Sequence, residues 1–174
     1  MSKAFTREDD SEEAPVRPRP VSLLPPGVRN YLTAAGARRF RDELARLSGT
    51  ERPALAAAAT GTSLAAQDAK EQLQSVESRM AQLEQCLATA EVVAPPLPPY
   101  DVVRFGAAVT VRDPAGAETT YRIVGADEAD ADKNEVSWLS PIARALLNAR
   151  LGHKVPFKFP SGAVQLEIIG IAYG

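Results

Sequence analysis

Residues 121–147 read YRIVGADEADADKNEVSWLSPIARALL and carry the clearest structural pattern of the chain. The first part, YRIVG, ends a segment that alternates apolar and polar side chains, as a strand with one buried face does. An acidic loop follows, and EVSWL then predicts a second short strand. Ser140 and Pro141 supply the N-cap and the first-turn proline that commonly begin a helix. The stretch therefore predicts strand, loop, strand and helix, with the helix continuing to Arg150.

The flanking segments extend the same domain. VVRFGAAVTVRD and ETTYRIVG alternate as two strands, and the turn at residues 114–116 joins them. Near the end of the chain, HKVPFKF and AVQLEIIGIAY predict a hairpin around residues 160–162. We therefore expect residues 101–174 to form a domain with a mostly antiparallel sheet and one helix packed on it, which makes the fold class α+β.

Residues 30–94 have a helical period instead. Thr33 is a candidate N-cap, and small or apolar residues then recur at steps of three and four on both sides of a turn at Gly61. Residues 48–50 and Pro53 predict a kink in the first arm. The second arm carries its stripe at Ala66, Ala69, Leu73, Val76, Met80, Leu83 and Leu87. This is the pattern of an antiparallel two-helix coiled coil, thin at the tip and more heavily packed at the base.

Two proline-rich segments mark the boundaries of these parts. Residues 1–29 predict a disordered leader, rich in proline and acidic residues, that has too few apolar side chains to offset its ordering entropy. Its Arg17 and Arg19 leave a contact with a protein or nucleic-acid partner as the alternative to a solvated tail. Residues 95–100 predict a linker, because prolines end the second helix at Ala94.

The composition excludes several classes of protein. The chain has 174 residues, 45% hydrophobic and 24% charged, with a net charge of −2, so no overall basic field points to nucleic acid as the main partner. One histidine and one cysteine exclude a His/Cys metal site. MSKAFTREDDSEEAP lacks the apolar core of a signal peptide, and no apolar stretch is long enough to span a membrane. We expect a cytoplasmic protein without a membrane partner.

No motif for an enzyme or a bound cofactor is present. The sequence lacks G-x-S-x-G, the glycine-rich phosphate loops and the dinucleotide fingerprint, so we predict no catalytic residue, no metal and no cofactor. Carboxylates crowd the loop at Asp127, Glu128, Asp130 and Asp132. A loop that is solvated or faces a partner explains them better than a metal site, which needs convergent ligands.

The stretch from residue 121 resembles the carboxy-terminal domain of the bacterial Gre transcription elongation factors. Their pattern is Y/F-R-I-V-G-x-D-E, a short strand, and then S-P-x-A-R-A-L. RFGAAVTVRD and PSGAVQLEIIGIAY look like other strands of that domain. LTAAGARRFRDELARL, ERP and ESRMAQLEQCL are similar to parts of the Gre coiled coil, and MSKAFTRED followed by a proline-rich leader looks like the GreB branch.

The resemblance implies an FKBP-like fold for the carboxy-terminal domain and bacterial RNA polymerase as the partner. The domain would dock at the rim of the polymerase secondary channel, and the coiled coil would reach down that channel. The residues matched to docking are Asp127, Glu128, Ala129, Asp130, Ser140, Pro141, Ile142, Ala143 and Arg144. Trp138 and Leu139 depart from the family pattern and are either sheet core or an added docking contact. Arg38, Arg39, Arg41 and Arg46 form a basic face that either meets nucleic acid in the transcription complex or is solvated.

The hairpin tip departs from the family pattern. In ordinary members, two acids in G-D-L-x-E-N help to hold a second magnesium ion with which the polymerase hydrolyses backtracked RNA. Here the matched tip is Thr60, Gly61, Thr62, Ser63 and Leu64, followed by two alanines, and both acids are absent. The hairpin is also shorter by about eight residues, or roughly 6 Å of reach. These features predict a GreB-like paralogue that regulates elongation without stimulating RNA cleavage.

Two alternatives remain at this stage. Asp68 and Glu71 repeat the D-x-x-E spacing on the second arm, so a true cleavage factor would use them in place of the tip acids. On the helical frame both point away from the seam, which favours a solvated helix face. The FKBP-like fold also hosts prolyl isomerases, but a fold alone does not carry that activity. We therefore expect a regulator that acts on the polymerase and is not itself an enzyme.

Overall fold

The computed structural model describes residues 24–159 and 162–174. Most of the predicted leader, including Arg17 and Arg19, lies outside the described residues, as do Pro160 and Ser161 of the last predicted turn. In the described part, a helical hairpin precedes a sheet domain, which confirms the α+β fold class. The hairpin half comprises β1 (Asn30–Thr33), α1 (Ala34–Arg46), a π-helical segment (Leu47–Glu51), α2 (Arg52–Ala58), α3 (Leu64–Thr89) and β2 (Ala90–Val93).

Both arms of the hairpin begin with a side-chain cap. The Thr33 hydroxyl accepts a hydrogen bond from the Gly36 N–H at 2.9 Å, which confirms Thr33 as the N-cap of α1. Ser63 caps α3 through a hydrogen bond from the Ala66 N–H. These bonds satisfy backbone donors that have no partner inside their own helix.

The predicted kink in the first arm is a π-helical turn. The Arg52 N–H donates to the carbonyl of Leu47, five residues back, and α2 then continues the arm. The wider turn lies directly before Pro53, which has no N–H to donate and is tolerated in the first turn of α2. The first arm is therefore interrupted but not broken.

The seam between the arms is thin at the tip and heavy at the base, as predicted. Near the tip, the buried residues of α3 are Ala66 and Ala69. At the base, the buried cluster consists of Leu32, Ala37, Phe40, Leu47, Leu83 and Cys86. Small side chains let the arms approach closely where the hairpin is narrowest, whereas the large side chains supply most of the buried apolar area.

The second helix ends at Thr89, so its predicted end at Ala94 is wrong. Residues Ala90–Val93 form β2 instead and pair in parallel with β1. The Asn30 side chain donates to the carbonyl of Cys86 at 3.0 Å and to the Thr89 hydroxyl at 3.1 Å, which satisfies groups at the helix end. Both partners lie more than 50 residues away along the chain, so local sequence could not indicate this end.

The sheet domain contains five strands in the order β5-β4-β3-β7-β6. Its elements are β3 (Ala108–Arg112), β4 (Glu118–Val124), β5 (Glu135–Ser137), α4 (Pro141–Leu146), β6 (Lys154–Phe159) and β7 (Gly162–Ala172). All neighbouring strands are antiparallel except β4 and β5, which pair in parallel. Helix α4 stops at Leu146, shorter than the predicted helix. The core joins one sheet face to α4 and includes Val103, Val109, Ile123, Leu146 and Ile168, all nearly inaccessible to solvent.

Candidate functional site

The hairpin tip is a capped turn without a carboxylate. Gly61 has a φ of +106°, a conformation that favours glycine. The Thr60 hydroxyl donates to the carbonyl of Ala57 at 2.8 Å, so that hydroxyl serves the end of α2. Leu64 leaves 75% of its surface exposed. The sequence has neither Asp nor Glu between Pro53 and Gln67, so the tip offers an apolar side chain and small polar groups.

Asp68 and Glu71 lie on the outer face of α3, opposite the buried Ala66 and Ala69. Both are exposed. From Leu64, the start of the helix, Asp68 lies about 6 Å and Glu71 about 10 Å further down the arm. The intervening Lys70 donates to the carbonyl of Gly61 at 3.1 Å. In the described ranges, no cluster of three or more His, Cys, Asp or Glu side chains is arranged to hold a metal ion.

The acidic loop of the sheet domain is partly neutralised. Lys133 donates to the carboxylate of Asp130 at 2.5 Å, and the Asp132 N–H donates to the same carboxylate at 3.1 Å. The hydrogen bond and charge of Lys133 lower the pKa of Asp130. Asp127 is half-buried and interacts electrostatically with Arg79 of the hairpin. The loop therefore does not present four free carboxylates.

Helix α4 presents only some of its predicted docking residues. Ser140 accepts a hydrogen bond from the Ala143 N–H and caps the helix. Ile142 and Ala143 are buried in the sheet-domain core. Pro141 and Arg144 are exposed, as is Ala129 in the neighbouring loop. A partner at this face would meet the exposed residues and not the side chains of Ile142 or Ala143.

Glu128 is not the exposed loop acid that the sequence suggested. Only 3% of its surface is accessible, and its carboxylate accepts hydrogen bonds from both the backbone N–H and the hydroxyl of Thr33. These donors make the burial of a charge tolerable, which is why the loop turns inward here. Thr33 lies 95 residues away in the chain, so sequence reasoning could not find this contact.

Other contacts surround this junction between the two halves. The Tyr31 ring packs edge-on against Trp138, with ring centroids 5.1 Å apart, and contacts Phe105 at 5.8 Å. Arg39 forms an ion pair with Glu135 at 3.2 Å. Trp138 thus packs on the sheet core and on the hairpin base. Sequence reasoning missed Tyr31 and Glu135, and the one available signal was an aromatic residue shortly before an N-cap.

A charged cleft of about 450 Å³ lies beside the junction. Its lining includes Arg39, Glu43, Arg79, Asp127, Asp130, Lys133 and Glu135. Arg79 makes two hydrogen bonds to the carboxylate of Glu43, at 2.8 and 3.0 Å. This pairing lowers the pKa of Glu43 and raises the pKa of Arg79. The cleft is lined by both cations and anions, so it is not a dedicated site for one sign of charge.

Ion pairs neutralise part of the positive charge on the basic face of α1. Arg39 pairs with Glu135, and Arg46 pairs with Glu51. Arg38 and Arg41 are exposed. The two exposed arginines outside these ion pairs are a small patch for binding nucleic acid, since each phosphate contact requires its own cation.

None of the helices in the described ranges combines the length and hydropathy needed to cross a membrane.

The family described as "Transcription elongation factor, GreA/GreB, C-term" matches residues 98–173. Transcription elongation factor GreB of Neisseria meningitidis serogroup B is 37% identical over 155 residues, covering 84% of this chain and 95% of the relative. GreA of Legionella pneumophila strain Corby is 39% identical over 156 residues, covering 83% and 97%. A solved GreA/GreB structure from Nitrosomonas europaea is 23% identical, covers 83% of this chain and 100% of that one, and gives a TM-score of 0.41.

The chain therefore belongs to the GreA/GreB family of transcription elongation factors. The similarity to the two relatives extends over more than four fifths of the chain, so it includes the hairpin as well as the sheet domain. This confirms the resemblance that the pattern after residue 121 indicated.

The Glu43–Arg79 pair predicts a pH dependence at the hairpin base. Because the pKa of Glu43 is lowered in the folded state, its ionised form adds stability above the ordinary value of 4.5, and that stability is lost as the pH falls through the lowered pKa. We expect Glu43→Gln to unfold at lower urea than the wild type at pH 7, with the difference shrinking below pH 4.5. Glu84→Gln, at an exposed position of α3, is the matched control. A Glu43→Gln deficit that persists unchanged at low pH would contradict this assignment.

Proposed function

We propose that this protein binds bacterial RNA polymerase and regulates elongation by placing a hairpin without acids in the secondary channel. The observation that carries the proposal is the tip between Pro53 and Gln67, which contains no carboxylate. The protein would occupy the route used by cleavage factors and would leave the RNA uncut. Any hydrolysis would remain the chemistry of the polymerase active centre.

The electrostatic argument concerns the second magnesium ion. A weakly held divalent cation needs negatively charged oxygen ligands, and Thr62 and Ser63 offer at most neutral hydroxyls. Ser63 already caps α3. Asp68 and Glu71 carry charge, but they lie about 6 and 10 Å behind the start of α3. Metal–oxygen bonds are only about 2 Å long, so this displacement removes both acids from the coordination sphere unless the hairpin enters deeper than its length suggests.

The docking surface is proposed on the exposed part of the sheet domain near α4. Pro141 and Arg144 are exposed there, and Ala129 lies in the neighbouring loop. Arg144 offers a planar cation that can bind a carboxylate of the partner through two hydrogen bonds. On the hairpin, Arg38 and Arg41 are exposed cations of α1 that would meet nascent RNA or DNA in the transcription complex.

The first functional prediction concerns RNA cleavage. Added in excess to a stalled, backtracked polymerase, the protein should leave the cleavage rate within about twofold of the polymerase alone, and it should slow cleavage by an active Gre factor. Labelled RNA resolved on a gel measures both rates. If the protein itself accelerates cleavage and Asp68→Ala abolishes the acceleration, the protein is a true cleavage factor that uses this acid.

Restoring the tip acids and the length of the hairpin should restore stimulation of RNA cleavage in stages. Thr62→Asp with Ala65→Glu returns the charge but not the length, so we expect little cleavage from this pair alone. Adding four residues to each arm supplies about 6 Å, and the combined variant should accelerate cleavage by the polymerase more than either change alone. The lengthened hairpin without the acids is the matched control. Equal activity of the control and the combined variant would show that charge at the tip is not the missing element.

Docking should depend on Arg144. Arg144→Glu should weaken binding to core polymerase about tenfold, equivalent to about 1.4 kcal/mol, because the reversed charge repels the carboxylate that the arginine would bind. Arg150→Glu makes the same change at another exposed position of the same domain and should leave the affinity near that of the wild type. Fluorescence anisotropy of a labelled protein gives both constants. Equal affinities for the two variants would place the docking surface elsewhere.

A further inference from the structure

The carboxylate of Glu128 joins the two halves of the chain. Its Oε2 accepts hydrogen bonds from the backbone N–H groups of Gly125 at 2.8 Å and Thr33 at 2.9 Å. Its Oε1 accepts a hydrogen bond from the Thr33 hydroxyl at 2.5 Å. Gly125 follows the last residue of β4, whereas Thr33 begins the hairpin. One buried side chain therefore hydrogen-bonds to the sheet domain and to the first turn of α1.

Two glycines make room for this contact. A Cβ at Gly36 would lie 1.5 Å from Oε1 of Glu128, and a Cβ at Gly125 would lie 2.2 Å from the carbonyl oxygen of Tyr31. Gly36 is inside a helix, and Gly125 has a φ of −60°, so neither conformation requires glycine. In a helix, glycine is less favourable than alanine, so glycine at position 36 calls for a local reason. Close approach of the two halves explains both residues.

Thr33 connects the helix cap to the junction. Its hydroxyl oxygen accepts the Gly36 N–H, and its proton is donated to Glu128. The same hydroxyl thus fixes the first turn of α1 and bonds it to the other half. Hydrogen bonds of this kind are directional, so they constrain how the two halves are oriented.

We propose that Glu128 is a positioning residue, which fixes the direction of the hairpin relative to the sheet domain. Its consequence for transcription rests on the proposed function, in which the sheet domain docks and the hairpin enters a channel. Helix α3 has 26 residues and is about 39 Å long. A rotation of about 10° at its base would therefore move the tip by about 7 Å. A loose junction would spread the tip over positions outside the channel.

Substitution of Glu128 by glutamine or by alanine distinguishes a positioning role from a general contribution to packing. In Glu128→Gln, the amide oxygen can still accept both backbone N–H groups, and the amide nitrogen can donate to the Thr33 hydroxyl oxygen. In Glu128→Ala, the N–H groups of Thr33 and Gly125 lose their acceptor. The glutamine variant should therefore keep the orientation, and the alanine variant should lose it.

The direct test measures the hairpin direction in the free, full-length protein. Spin labels at Thr62→Cys and Ala115→Cys report the distance from the tip to the sheet domain by double electron–electron resonance. Burial raises the pKa of the native Cys86 thiol to about 11, so labelling at pH 7 is directed to the introduced cysteines. Wild type, Glu128→Gln and the exposed control Glu84→Ala should give one narrow distribution, and Glu128→Ala a broader one. A narrow, unshifted distribution for Glu128→Ala would overturn the proposal.

A second test uses Gly36, and its outcome can be read even if one of the variants folds poorly. Gly36→Ala should lower the urea midpoint, although helix propensity alone predicts a rise, because the new methyl group displaces the carboxylate. In the Glu128→Ala background the same change should raise the midpoint, since the space is then empty. Gly49→Ala, where a Cβ would meet nothing within 4 Å, is the control. A rise in both backgrounds would contradict the contact.

Competition with an active Gre factor on polymerase then tests the functional consequence. If the correctly directed population falls to about a tenth, Glu128→Ala should need about tenfold more protein to compete, and Glu128→Gln should compete like the wild type. A broadened distance distribution with unchanged competition would overturn the positioning role. Failure of the wild-type protein to bind polymerase would instead overturn the proposed function, and the distance measurement would still report on the junction.

Discussion

A carboxylate can be buried in a protein only where hydrogen-bond donors replace the water that it loses, and Glu128 finds those donors in both halves of this chain. This requirement brings β4 and the start of α1 together. It explains glycine at positions 36 and 125, where a side chain would occupy the space of the contact. The hairpin is therefore held by its base and not only by the proline-rich segment that connects it to the sheet domain.

The sequence predicted the parts of this protein that depend on local order. The period of the second arm, the cap at Thr33 and the alternation of the strands each follow from neighbouring residues, and the structure contains them. The same reasoning failed where contacts between residues that are distant in the sequence determine the structure. The end of α3 depends on pairing with β1, and the burial of Glu128 depends on Thr33. No local pattern encodes either partner.

The candidate functional surfaces also combine features that the sequence reveals and features that only the structure reveals. The absence of acids at the tip is a property of the sequence and needed no structure. The predicted docking residues rest on a family resemblance, and burial separates exposed side chains among them, such as Arg144, from core residues such as Ile142 and Ala143. The proposed function would explain why a tip without acids is carried on a long hairpin. In that proposed role, the tip would fill the channel and would bring no carboxylate to a metal ion.

The magnesium requirement of RNA cleavage tests this conclusion most directly. A factor that supplies carboxylates to the second metal lowers the magnesium concentration at which a backtracked polymerase cuts its RNA, because the added charge helps to hold the ion. With this protein at saturation, the magnesium midpoint of intrinsic cleavage should be equal to or higher than that of the polymerase alone. A clear fall in the midpoint would show that the hairpin does deliver ligands to the metal, and it would contradict the proposed role of the tip.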